Sequence, residues 1–241
     1  MNGQKETCKF VVPLIFLASS FERPKVTLRR ITLEYHLSKT HIDKALKLLA
    51  KKDDDLKAAI NVVGFPEERR RGRGFPTLMR IIVGQQLSVK AAATIAGRVE
   101  DLLGGAMDAV KYMEKSDDEL RGCGLSRPKV SYGRGLCEAV LTGMLDVDAL
   151  PNMTDEEAQA AIVALKGFGR WSAEMYLMFS LGRADVWPAD DLAVQEGVRR
   201  LKGLKERPSQ KEMDDIGEQW RPYRAAMAIF LWHYYAKAPA I

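Results

Sequence analysis

Leu165-Lys166-Gly167-Phe168-Gly169-Arg170-Trp171, followed after nineteen residues by Asp191 in Val186-Trp187-Pro188-Ala189-Asp190-Asp191-Leu192, is the stretch on which the fold turns. Apolar residues recur at helical spacing on both sides of the glycine pair, in Glu156 to Leu165 and Ser172 to Leu181. The segment therefore reads as two helices joined by a tight turn. Glycine at 167 and 169 permits positive φ and close approach of another backbone, so main-chain N–H groups at the start of the second helix can hold a phosphate. Lys166 and Arg170 add positive charge beside that turn. A GxG turn alone is only a helix connection; the leucine spacing, the flanking helices and the acid downstream lift it above that. Pro188 forces an extended approach to two adjacent acids. N-capping accounts for one of them and leaves the other free for chemistry.

Working outward, hydroxyl residues followed three positions later by a carboxylate announce helix starts at Thr40 with Asp43, Ser116 with Glu119, Thr154 with Glu157 and Ser209 with Glu212. Helical apolar patterns also run through Leu78 to Val83, Val89 to Leu103, Lys129 to Leu141 and Tyr223 to Tyr235. Past residue 40 there is little strand alternation, and Gly and Pro fall in short connections such as Gly64-Phe65-Pro66. An all-α fold is expected. The basic run Glu67 to Gly74 precedes the helix that leads into Gly84-Gln85-Gln86-Leu87-Ser88. It could lie against phosphates, and a solvated loop is at least as good a reading.

Composition bounds the chemistry. The chain has 241 residues, 46% hydrophobic and 29% charged, the balance of a globular protein long enough for one large domain or two joined ones. Lys and Arg number 37 against 32 Asp and Glu, and a pI near 9.0 suits a polyanionic partner without demanding one. Cys8, Cys123 and Cys137 have neither disulfide-framework nor CxxC spacing, which favours a reducing compartment. His36, His41 and His233 are too scattered to pair as metal ligands. The apolar run Phe10 to Ala18 is too short to span a bilayer as a helix. It reads as a packed strand or as an extension upstream of the natural start, in preference to a targeting signal.

LKGFGRW and Asp191, together with IIVGQQLSVKAAATIAGRV at 81–99, GLSRPKVSYGRGL at 124–136 and WRPYRAAMAIFLWHY at 220–234, resemble the helix-hairpin-helix (HhH-GPD) DNA glycosylase superfamily. Within it the sequence looks most like the alkylation-repair branch, the 3-methyladenine DNA glycosylase II type. The resemblance covers roughly residues 40 to 236 in the right order. Residues 1–35 stand outside it as an N-terminal extension of uncertain role; residues 36–241 are the expected glycosylase domain, with its hairpin at 165–171. The resemblance implies an all-α, two-lobed fold with the active-site cleft between the lobes, lacking the mixed domain of some relatives.

In such enzymes the acid matching Asp191 is the catalytic carboxylate, which stabilises an oxocarbenium-like sugar and orients water, while Asp190 is left to cap or support the loop. Trp171 takes the position at which lyase-bearing relatives carry a Schiff-base lysine, so the implied enzyme is monofunctional. Trp171, Trp232, Tyr176 and Met175 are the implied base pocket, with Met175 standing where some relatives have an aromatic residue. By its apolar surroundings alone Trp232 would be a core residue. Gly167, Gly169, Lys166 and Arg170 would grip a phosphate; Gln86 or Leu87 would wedge the minor groove beside Ser88; Ser126 and Lys129 would touch the opposite strand. Backbone carbonyls of Val163, Leu165 and Phe168 would hold a structural Na+ or K+, with no other cofactor required. The iron-sulfur branch is excluded, because no cysteine follows Cys137. The implied partner is double-stranded DNA containing alkylated bases, bound by a monomer without a membrane, in the nucleoid of a bacterium or the nucleus of a eukaryote and not secreted. A non-catalytic lesion-binding protein that keeps the hairpin is the competing reading, and a lyase-bearing oxidised-base glycosylase a third.

Overall fold

The computed structural model describes residues 35–238, which fall within one compact unit and contain twelve α-helices and no strand. The run Phe10 to Ala18 and Cys8 lie outside the described residues. In chain order the helices are α1 (Lys39–Leu49), α2 (Asp54–Val63), α3 (Phe75–Gly84), α4 (Val89–Leu102), α5 (Ala109–Glu114) and α6 (Asp117–Gly122). They continue with α7 (Arg127–Leu141), α8 (Asp155–Val163), α9 (Arg170–Tyr176), α10 (Leu192–Leu201), α11 (Gln210–Gly217) and α12 (Arg224–Lys237).

Three of the four expected helix starts are capping boxes in which hydroxyl and carboxylate exchange bonds with each other's backbone: Ser116 with Glu119, Thr154 with Glu157, and Ser209 with Glu212. The fourth is corrected. Ser38, not Thr40, caps α1 by accepting the His41 N–H, and Asp43 instead pairs with Lys39 one turn back at 2.6 Å. The backbone is already helical at Thr40, so its hydroxyl is too late to serve the first orphan N–H groups.

Buried side chains form one continuous core. Helices α1, α2, α10 and α12 pack on one another, and α3, α4, α7, α8 and α9 make a second group. Helix α12 is buried from Ala225 through Leu231, the all-round burial of a central helix. It lies so close to α10 that a Cβ at Gly197 would come within 2.9 Å of the Leu231 carbonyl oxygen. Cys123 and Cys137 are buried free thiols.

The apolar pattern from Ser172 to Leu181 is not one regular helix. Helix α9 passes at Leu177–Leu181 into a π-helical segment, all of it buried. The basic run is exposed from Glu67 to Arg73, in keeping with the solvated-loop reading, and it is also tethered here. The Arg71 N–H donates to the Phe179 carbonyl at 2.8 Å and Arg73 Nε to the Ser180 carbonyl at 3.1 Å, while Arg70 lies over the Tyr35 ring.

Candidate active site

Helix α8 ends at Val163 and α9 begins at Arg170, so the glycine pair forms the turn between them. Leu165 and Phe168 are buried and anchor the turn, and the Phe168 N–H donates to the Leu165 carbonyl at 3.1 Å. Only one of the two glycines has positive φ. Gly167, at φ +95°, presses on the Tyr132 ring so closely that a Cβ would sit 2.4 Å from it. Gly169 is extended, with φ −97°, and caps α9 with no side-chain bond to the helix N–H groups. A Cβ there would meet nothing within 4 Å. Gly167 is thus required by the fold, whereas Gly169 leaves the amides at the helix start open to an outside group.

The acid lies beyond the π-helical segment. Asp191 is the residue immediately before α10, and its Oδ1 accepts the N–H groups of Ala193 and Val194, each at 3.0 Å. The same oxygen accepts Trp232 Nε1 at 2.9 Å, and Oδ2 accepts Trp171 Nε1 at 2.8 Å. Four uncharged N–H donors therefore aim one half-buried carboxylate, and among the described residues it has no salt-bridge partner. The expected division of labour between the two acids is corrected. Asp191 caps the helix and also carries the free oxygen edge, because only the residue directly before Leu192 can reach those N–H groups. Asp190 is exposed and meets the Gln210 amide, whose nitrogen donates to Asp190 Oδ1 at 2.9 Å and whose oxygen accepts Arg170 Nη1 at 2.9 Å.

Trp171 is 42% exposed and, with Met175, Leu87, Val89 and Ile81, lines an open cavity of about 480 Å³ walled by α3, α4 and α9. Trp232 stands outside that wall, half-buried against Phe179 with ring centroids 5.7 Å apart, and reaches the site through Asp191. Tyr176 does not line the cavity. It is fully buried, and its hydroxyl accepts the Gly74 N–H at 2.8 Å. The reason is helical geometry: positions 171 and 175 share a face, and 176 is turned away from it.

The turn after α3 carries Gln86 at φ +56°, with Leu87 and Ser88 exposed and Ser88 capping α4. Gln85 belongs to the turn singled out in the sequence, but its own role was not legible there. Its Nε2 donates to the Gly167 carbonyl at 2.7 Å and ties this turn to the hairpin. Tyr132, Gln210 and Asp214 were missed as well, and no local pattern marks any of them.

Two residues expected to contact DNA are already engaged by groups of the protein and remain part-exposed. Arg170 Nε donates to Glu174 Oε1 at 2.7 Å, and Nη2 lies 3.3 Å from Asp214 Oδ1. Lys129 donates to the Val83 carbonyl at 2.9 Å, at the end of α3 where the last carbonyls lack helical partners, and burial pulls its ammonium down from the ordinary lysine range. Lys166 and Ser126 are exposed, and Ser126 makes no side-chain bond to the start of α7. Glu174 is 3% exposed; burial pushes its carboxyl up to about 7, against the pull of Arg170 and with Asp190 and Asp214 raising it further.

Residues 79–222 match the family described as HhH-GPD superfamily base excision DNA repair protein. The chain is 32% identical over 199 residues to DNA-3-methyladenine glycosylase 1 of Schizosaccharomyces pombe, covering 80% of this chain and 87% of that one. A crystal structure of a DNA-3-methyladenine glycosidase from Bacillus halodurans superposes with a TM-score of 0.69 at 37% identity, covering 78% of this chain and 87% of that one. A Schizosaccharomyces pombe 3-methyladenine DNA glycosylase in complex with abasic DNA superposes with a TM-score of 0.69 at 31% identity, over 78% of this chain and 95% of that one. With the hairpin, the capped acid and this similarity in agreement, the chain belongs to the HhH-GPD superfamily of base excision DNA repair proteins.

Proposed function

We propose that this protein is a monofunctional DNA glycosylase that flips alkylated purines out of duplex DNA and hydrolyses their N-glycosidic bond. The observation that carries this reading is the Asp191 carboxylate, aimed by the indole N–H groups of Trp171 and Trp232 and sited one residue's reach from the cavity that Trp171 lines. An alkylated purine is cationic and already a good leaving group, so the demanding task is to stabilise positive charge growing on the sugar. A fixed carboxylate with no counter-cation does that electrostatically, and it can orient a water or accept its proton. The Trp171 ring supplies an electron-rich face to a cationic base, an attraction of about 0.5–2 kcal/mol. No lysine stands at position 171, so this site lacks the amine for Schiff-base chemistry.

Flipping costs a few kcal/mol, least at damaged pairs. Leu87, 39% exposed on the cavity rim, is the side chain suited to fill the gap, with Gln86 and Ser88 beside it. The backbone of Gly167 and Gly169, with Lys166, holds a lesion-strand phosphate, and Ser126 approaches the opposite strand. The hairpin, the wedge turn and the acid all come from one chain, so a single copy suffices for the reaction, wherever the cell keeps its DNA. No described helix is long and apolar enough to cross a membrane. The Val163 carbonyl at the end of α8 and those of Leu165 and Phe168 in the turn are hard oxygen donors of the kind that fit Na+ or K+ beside the phosphate.

The test is release of 3-methyladenine or 7-methylguanine from methylated duplex DNA by the wild type and by Asp191→Asn. Release by the wild type that is lost in the variant is the expected result. Equal release by both removes Asp191 from the chemistry. Tight binding to abasic DNA without release of any modified base identifies a lesion-binding protein instead.

A further inference from the structure

Arg170 and Trp171 are adjacent at the start of α9, and Asp190 and Asp191 are adjacent at the end of the loop that delivers the acid. The two pairs meet in parallel. Trp171 bonds Asp191 directly, and Arg170 reaches Asp190 through the Gln210 amide. All three guanidinium nitrogens are engaged inside the protein: Nε with Glu174, Nη1 with Gln210, and Nη2 with Asp214 and, at 3.5 Å, the Trp187 carbonyl. These partners come from three separate pieces of chain, namely α9, the loop 187–190 and α11. Glu174 makes the arrangement hard to leave. It is 3% exposed, and its second oxygen, Oε2, has no hydrogen-bond partner among the described residues. If Arg170 turned outward to a phosphate, it would leave that buried carboxyl with no hydrogen-bond partner on either oxygen among the described residues.

We propose that Arg170 is a positioning residue of the glycosylase: it binds α9, α11 and the loop 187–190 into one unit that sets the reach from Trp171 to Asp191, and it makes no phosphate contact. This rests on the glycosylase reading above. The bridge acts on geometry at the reacting sugar, so its loss slows the chemical step and leaves DNA affinity alone, because the hairpin backbone and Lys166 are untouched. A phosphate contact would behave in the opposite way, with affinity and its salt dependence changing first.

The experiment compares wild type, Arg170→Gln and Gln210→Ala. Gln210 is exposed, so its variant removes the link to Asp190 while sparing the buried pair, and it decides the matter if Arg170→Gln fails to fold. Single-turnover release of 7-methylguanine is followed at saturating and sub-saturating enzyme, and binding to an abasic duplex is titrated at several salt concentrations. The expected result is a saturating rate reduced roughly 10- to 100-fold in Arg170→Gln and by at least about threefold in Gln210→Ala. The half-saturating concentration and the salt slope of binding stay as in the wild type. A salt slope shallower by about 1 in Arg170→Gln makes it a phosphate contact and overturns the proposal. Unchanged saturating rates in the folded variants overturn it equally. Failure of the wild type itself to release base overturns the glycosylase reading beneath it, and is recognised because no protein in the set then shows a rate.

Discussion

Trp171 Nε1 donates to Asp191 Oδ2 at 2.8 Å, a bond between the hairpin helix and the residue that caps α10. It makes the pocket ring and the acid parts of one object. Trp232 holds the other oxygen from α12, so three helices converge on a single carboxylate.

Asp191→Asn tests what that convergence requires. All four groups around the side chain are N–H donors, so an amide in either orientation turns at least one N–H toward another. Base release falls by roughly 10²–10³ or more. Asn caps helices about as well as Asp, so urea unfolding shows a stability change within about 1–2 kcal/mol. The two measurements together separate lost chemistry from a lost fold.

The hairpin glycines separate in the same way. Gly167→Ala places a Cβ at φ +95° and against Tyr132, and lowers stability by at least about 2 kcal/mol in urea unfolding. Gly169→Ala has an ordinary φ and open space, so stability stays within about 0.5 kcal/mol. Its methyl group obstructs the amides at the start of α9, and affinity for abasic DNA drops at unchanged stability.

Gln85→Ala cuts the tie from the wedge turn to the Gly167 carbonyl. The loss of stability is about 1 kcal/mol, the worth of one hydrogen bond, measured by urea unfolding. Binding to abasic duplex weakens by more than this implies, because two turns that must meet the DNA together are no longer held in register.

Glu174 gives stability a pH dependence of defined sign. Its folded-state carboxyl titrates at about 7, above its ordinary 4.5, so between those values the folded state holds the proton more tightly than the unfolded chain. Stability therefore falls as pH rises from about 4.5 to about 7, by at most about 1.4 kcal/mol per pH unit. Glu174→Gln has no carboxyl to titrate, and its urea midpoint, followed across the same window, loses this slope.

Much of the fold is legible locally. The capping boxes at Ser116, Thr154 and Ser209 and the apolar periods of α4, α7 and α12 depend on residues within a turn or two of one another. The exceptions are places where a distant group competes, as where the carbonyls of the π-helical segment capture the arginine run. The site was less legible. Its glycine turn, its acid and its tryptophans stand out as residue types, yet Tyr176 is turned into the core, and the intramolecular partners of Arg170 and Lys129 carry no local signal.

By itself the sequence determined the helices, the hairpin between α8 and α9, and a pair of acids, Asp190 and Asp191, delivered to a helix start, since each follows from short-range periodicity, capping and the rigidity of Pro188; that Asp191 caps the helix and Asp190 does not was decided by the fold. Only the tertiary structure decided which atoms meet. Gln85 finds Gly167 across 82 positions, Tyr176 finds Gly74 across 102, and Arg170 finds Asp214 across 44. Such pairings are set by the direction of a side chain on its helix and by the need of every buried polar group for a partner, and both are properties of the packed chain.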